Sequence, residues 1–245
     1  MEIDLKDILQ KRIETLNKRV EYLSNLDLGT PTLQEFSISD ISKTNIEKEE
    51  TVIGKLYKDL KKINDEAVVY IYEIVDPNIK VELLSKVNHY RSYPKDKNYY
   101  ATSKIRFNLV WDLLGEERSK EVKICLKKQQ SDDEKKSLEI IPSDEKKKSL
   151  EIILSDEEKK LLNKKLLNNL YVGSVEKGIC LRTKYHLGLM DDSKTTYALQ
   201  LERWAKKNWK FKFYYITIKD KSMVKDVEAA ISEELKPLLG KDEKY

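Results

Sequence analysis

An α+β fold is predicted from three observations. Stretches rich in β-branched and aromatic residues at 68–74, 170–174 and 211–218 read as strands. Helical periodicity lies between and around them, and a heptad seam opens the chain. At 245 residues there is length for one or two domains with a real core.

From the N-terminus, Leu9, Ile13, Leu16, Val20 and Leu23 alternate four and three apart among charged neighbours. A second stretch, 46–63, places Ile46, Ile53, Leu56, Leu60 and Ile63 at comparable spacing, and Gly29-Thr30-Pro31-Thr32 breaks the helix between the two. Each helix is too short to be stable alone, so a helical hairpin or a dimerising coiled coil is expected over residues 1–65, with a homodimer as one outcome. Residues 67–74 then form a strand around Tyr70.

The segment 76–168 separates the strand-like stretches at 67–74 and 169–175. Its first half has core content in Ile105, Phe107, Leu109, Val110, Trp111, Leu113 and Leu114, followed by Val122, Ile124 and Leu126 alternating as a strand. Its second half carries a tandem repeat within 131–160. Ser-Leu-Glu-Ile-Ile occurs at Ser137 and again at Ser149, twelve residues on, and Ser-Asp-Glu runs follow at Ser143 and Ser155. Such a duplication suits a surface segment, where added length costs little loop entropy. Ser155 with Glu158 makes a capping box for a helix through Leu167.

Beyond it, 169–175 ends in a Gly-Ser turn signal, and 179–187 puts Arg182 and His186 on one helix face, a guanidinium and an imidazole pointing the same way. Such a pair suits phosphate, through a bidentate Arg contact and a second donor. The stretch 196–205 reads as a helix with Ala198, Leu201 and Ala205 inward, and 211–218 alternates as a strand. In 222–239, Val224, Val227, Ile231 and Leu235 form a helical stripe that contains Glu228. An inward carboxylate needs a cation, either Arg182, a metal ion or both.

Composition narrows the class of function. Charged residues are 37% of the chain, the net charge is +4, and no apolar run approaches the roughly 18 residues of a membrane span. Met1-Glu2-Ile3-Asp4 shows no basic-then-apolar leader, so a cytoplasmic protein without membrane association is expected. Two cysteines, Cys125 and Cys180, and two histidines offer no zinc ligand set, and both cysteines read as small core residues. Trp204, Lys206, Lys207, Trp209, Lys210 and Lys212 interleave aromatics with cations, as a phosphate-tracking surface with stacking platforms would. The other reading makes the tryptophans core anchors and the lysines solvated.

Tyr171-Val172-Gly173, Arg182-x-x-x-His186 and Glu228 nine residues before Pro237 together resemble the second half of the GIY-YIG nuclease superfamily. The first signature strand corresponds to 67–74, with Tyr70 as the matching tyrosine. Val68 stands at that signature's first Gly, and Gly240-Lys241 at the Asn that closes the family pattern. The resemblance implies a small three-stranded antiparallel sheet flanked by helices in residues 66–245, interrupted by an insertion at 76–168. It also implies a divalent-metal-dependent endonuclease acting on nucleic acid, with double-stranded DNA the favoured partner. Glu228 would bind one Mg2+ or Mn2+, Tyr70 would be the general base and Tyr171 would position water. Arg182 would stabilise transition-state charge, and His186 would pass protons or hold a phosphate oxygen. Lys184, Arg203, Lys206, Lys207, Lys210 and Lys241 would line the nucleic-acid path. The alternatives are a catalytically inactive nucleic-acid-binding module on the same fold and a protein-interaction module working through the N-terminal helices.

Overall fold

The computed structural model describes residues 14, 21, 32–92, 104–125, 153–190 and 198–240, the side chains of 89, 91, 92 and 104 excepted. The chain is α+β. Its elements in order are β1 (Thr32–Ser37), α1 (Val52–Lys62), β2 (Ala67–Ile74), α2 (Lys80–Ser92), β3 (Lys104–Ile105), α3 (Phe107–Leu114) and α4 (116–125). They continue with α5 (Asp156–Lys165), β4 (Asn169–Val175), α6 (Ile179–Leu187), the single turn α7 (Leu201–Trp204), β5 (Lys210–Ile218), α8 (Val224–Leu235) and β6 (Leu239–Gly240).

Among the described residues one six-stranded sheet runs β1-β5-β2-β4-β6-β3. The three strands legible in the sequence lie side by side at its centre, β2 antiparallel to both β4 and β5. The expected three-stranded sheet is therefore corrected to six. β1 extends one edge antiparallel to β5, and β6 and β3 extend the other through a parallel step at Tyr171 and Leu239. These additions are short or polar, with two residues each in β3 and β6, which leaves no period long enough to read.

β2 is central because both its faces are apolar, as a strand covered on two sides requires. Val68, Tyr70, Tyr72 and Ile74 enter the larger core, while Ala67 and Val69 join Val172, Ile218, Val224 and Val227 beneath α8. α1 starts where the Thr51 hydroxyl accepts the Gly54 N–H at 3.0 Å, an N-cap worth about 1 kcal/mol. Its Ile53, Leu56 and Leu60 are buried in the larger core, each contributing on the order of 1.5–3 kcal/mol.

That packing corrects the N-terminal reading. The apolar side of α1, expected to face the Leu9/Leu16/Leu23 seam, is covered by the sheet, and β1 precedes it as a sheet edge. No domain boundary falls at residue 65, because 32–62 share the core of the later elements. The seam itself, the homodimer it would support and nearly all of 1–31 lie outside the described residues.

The insertion also contributes core. Leu83, Leu84 and Val87 of α2, Ile105 of β3, Val110 of α3, Val122 of α4 and Leu162 of α5 are all buried with the sheet residues. Residues 121–125 are helical where alternation predicted a strand. Charge pairing at helical spacing won there: Lys120 bonds Glu116 at 2.6 Å and Arg118 bonds Glu121 at 2.7 Å. Most of the repeat, 126–152, lies outside the described residues, but its tail enters the fold at the buried Leu154. The Ser155–Glu158 capping box forms as expected and opens α5.

Candidate functional site

Three elements bring four of the expected residues together. β2 supplies Tyr70, β4 supplies Tyr171 and α6 supplies Arg182 and His186. α6 has the predicted limits and stops at Gly188, whose φ of +86° an L side chain rarely adopts. One face of α6 thus delivers both polar groups to the sheet. Arg182 Nε donates to Tyr70 Oη at 3.0 Å, and its Nη2 donates to Tyr171 Oη at 3.3 Å. The Tyr70 and Tyr171 rings stack at 6.2 Å, and the His186 ring meets Tyr70 edge-on at 5.4 Å.

The hydrogen bonds around His186 define its tautomer. The Leu199 N–H can only donate, and it points at His186 Nδ1 at 3.1 Å. Nδ1 is therefore unprotonated, and Nε2–H donates to Tyr70 Oη at 2.9 Å. Tyr70 Oη accepts from both His186 and Arg182. A directed chain runs from Leu199 through His186 to Tyr70.

Burial decides the chemistry of this chain. His186 is fully buried, and desolvation together with the Arg182 charge holds its pKa well below the usual range. A ring held as a neutral donor orients Tyr70, which disfavours the proton-passing role expected of it. Tyr70 is 1% exposed, with its phenol pushed well above 10 by burial and by the neighbouring Tyr171. Of the two phenols it is the more strongly raised, which disfavours it as the expected general base. Tyr171 is also raised by burial, but Arg182 and Tyr70 oppose the rise while the Glu228 charge adds to it. Tyr171 is the phenol that senses both Arg182 and Glu228.

Gly173 explains how the rings come so close. A Cβ there would lie 2.6 Å from Tyr171 Cε1 and 2.7 Å from Tyr70 Oη, so only glycine fits beneath the pair. The next residue links this face to the other. Ser174 Oγ donates to Glu228 Oε2 at 2.5 Å, while Lys225 Nζ donates to Ser174 Oγ at 2.8 Å and to Glu228 Oε2 at 2.7 Å. The stripe placed Glu228 facing inward; it is half-buried, and its cation is Lys225 and not Arg182. The reason is alternation: Gly173 faces the tyrosines and Ser174 faces α8, so β4 stands between the two sets. The link between them is electrostatic: the Glu228 charge is felt at Tyr171.

Comparison with protein-family models, curated proteins and solved structures finds no match to this chain. The geometry alone carries the functional argument.

Several of the residues expected along a nucleic-acid path form surface ion pairs. Lys206 pairs with Glu82, Lys207 with Glu202 at 2.9 Å and Lys210 with Glu35 at 3.9 Å. Trp204 and Trp209 are buried and pack edge to face at 6.4 Å, with Trp204 Nε1 donating to Leu199 O. They are core anchors, and the stacking-platform reading falls. Arg203 is part-buried and directs Nη2 at Met190 O. Lys184 lies over the Tyr57 ring at 4.8 Å, and Lys241 lies outside the described residues. Cys180 is buried as expected, whereas Cys125 is exposed at the end of α4.

Sequence reasoning missed the roles of Gly173, Ser174 and Lys225. The signal for Lys225 was present in its i,i+3 spacing to Glu228, and Ser174 follows from strand alternation once Tyr171 faces the core.

No cluster of three or more His, Cys, Asp or Glu side chains that could hold a metal occurs among the described residues. A single half-buried carboxylate beside a hydroxyl, Glu228 with Ser174, nonetheless fits Mg2+ or Mn2+, ions that keep much of their water and take one or two protein carboxylates. Lys225 pairs with that carboxylate from an exposed position.

Proposed function

We propose that this chain is a divalent-metal-dependent phosphodiesterase acting on nucleic acid, with Arg182, Tyr171 and Glu228 as its working groups. The observation that carries the reading is the convergence of Tyr70, Tyr171, Arg182 and His186 from three elements over Gly173, with Glu228 anchored on the adjoining Ser174.

Arg182 presents a permanent positive charge to a phosphate, since neighbouring phenol oxygens hold its pKa up despite burial. Its plane is set by two tyrosine oxygens, the preorganisation that transition-state charge stabilisation requires. Tyr171 is the candidate base, because its phenolate accepts from Arg182 Nη2. Tyr70 and His186 are positioning residues. Glu228 would hold Mg2+ or Mn2+, which would supply Lewis-acid polarisation of the phosphate.

The test incubates the purified chain with duplex DNA, single-stranded DNA and RNA, with and without Mg2+ or Mn2+, alongside Glu228→Gln and Arg182→Gln. Metal-dependent cleavage by the parent and its loss in both variants is the expected result. Cleavage that persists in the double variant would place the activity elsewhere.

A second reading is favoured by the burial of Tyr70 and the upward displacement of both phenols: a nucleic-acid-binding module without turnover. Duplex binding that Arg182→Gln weakens, with no cleavage by any divalent metal, would select it.

A further inference from the structure

Away from the tyrosine cluster, a cleft of about 740 Å3 opens between the start of α2, the C-terminal half of α5 and the segment leading into β4. Lys80 lines it and is 2% exposed. Its Nζ donates to Leu166 O, the carbonyl at the C-cap of α5, at 2.5 Å. That single acceptor leaves an ammonium with further N–H groups and no carboxylate partner among the described residues. A buried charge without a counter-charge is costly, and the α5 C-terminal dipole offsets it only in part.

The rest of the lining has the same sign. Lys160 and Lys164, one turn apart on α5, are exposed on the cleft and form no ion pair among the described residues, and like charges at that spacing repel. Glu73 is the cleft's one acid among the described residues, and it is engaged by the Tyr214 hydroxyl at 2.7 Å. The Asn168 carboxamide lines the cleft beside them.

The geometry points to an oxyanion site here: Lys80, Lys160 and Lys164 bind a phosphate group, with Lys80 as the desolvated anchor. Three ammonium donors and a carboxamide suit the tetrahedral oxygens of a phosphate. The group arrives either on a small phosphorylated compound or as the backbone of a nucleic acid. Burial lowers the Lys80 pKa, and a bound anion would act in the opposite direction.

The test is calorimetric titration and thermal melting of the full chain with inorganic pyrophosphate at low ionic strength. Pyrophosphate should bind and raise the Tm of the parent and of Arg182→Gln alike. Lys80→Gln should weaken that binding about tenfold or more, the loss expected for one charge-assisted contact. Because Lys80→Gln risks the α5 terminus, the exposed pair Lys160→Gln/Lys164→Gln is measured beside it and should also bind more weakly with an unchanged melting curve in buffer. A short DNA duplex that displaces pyrophosphate in both parent and Arg182→Gln would assign the site to backbone phosphate. A duplex that does not compete would assign it to a small compound. The proposal is overturned if pyrophosphate fails to bind the parent, if Lys160→Gln/Lys164→Gln binds it as tightly as the parent, or if Arg182→Gln alone abolishes the effect.

Discussion

Replacing Gly173 with alanine inserts a methyl group within 2.6–2.8 Å of Tyr171 Cε1, Tyr70 Oη and Tyr70 Cζ. The rings are buried and hydrogen-bonded, so they cannot yield freely. Gly173→Ala should cost about 1–3 kcal/mol in urea denaturation and disturb the Arg182 contacts, whereas an unchanged midpoint would show that the rings move easily. Ionisation at the same cluster sets the pH response. His186 has a folded pKa depressed by burial, so its neutral form contributes fully above the unfolded value of roughly 6.5. Stability should fall as pH drops below that value, because only the unfolded chain then gains the proton. Tyr70 and Tyr171 have raised folded pKa values, so their contribution is full below about 10 and is lost as pH rises beyond it. Melting curves across pH 5 to 11 check both limbs, and His186→Gln should remove the acid one. A curve flat through the acid limb would mean that His186 is solvated.

Among the helices, α5 carries the most testable local design. Ser155 Oγ accepts the Glu158 N–H at 3.2 Å, and Glu158 Oε2 accepts the Ser155 N–H at 2.7 Å. Glu158 also takes Arg118 Nε at 2.6 Å and Nη2 at 3.2 Å, tying α4 to α5. Ser155→Ala should cost about 1 kcal/mol, and Glu158→Ala more, since it removes a cap and a fork-like Arg contact together. Equal losses in chemical denaturation would mean that the Arg118 contact adds nothing, as exposed ion pairs often do. The twelve-residue period gives a companion prediction. Deleting 137–148 keeps Ile153, Leu154 and Ser155 in place behind an intact Ser-Leu-Glu-Ile-Ile, so the Tm should stay near that of the parent. A large drop would show that the first repeat copy is core.

For the molecule as a whole, the shared core dictates where the chain can be cut. Because β1 pairs with β5 and α1 fills the main core, a truncation at residue 65 should unfold the protein. One ending before Thr32 should leave it folded. Light scattering on that shorter chain tests the homodimer expected of the heptad seam: a fall from two subunits to one supports it, and an unchanged number of subunits removes it. Across the described residues no helix is long and apolar enough to cross a membrane.

By itself the sequence determined the parts of this protein that rest on local periodicity and caps. β2, β4 and β5 declared themselves by β-branched and aromatic runs, and α6 by the Arg182–His186 spacing. α5 followed from Ser155 and Glu158, and α8 from an apolar stripe with Glu228 inside it. Only tertiary structure decided the rest, because it depends on what covers a surface. α1 has the same seam whether a coiled coil or a sheet buries it, and Trp204 and Trp209 look alike as platforms or as anchors until their surroundings are known. The site divides in the same way. The family resemblance brought Tyr70, Tyr171, Arg182 and His186 into one list, but desolvation, a long-range property, made His186 a fixed neutral donor and enclosed Tyr70. Alternation along β4 gave Glu228 to Lys225 and Ser174, since a strand sends neighbouring side chains to opposite faces.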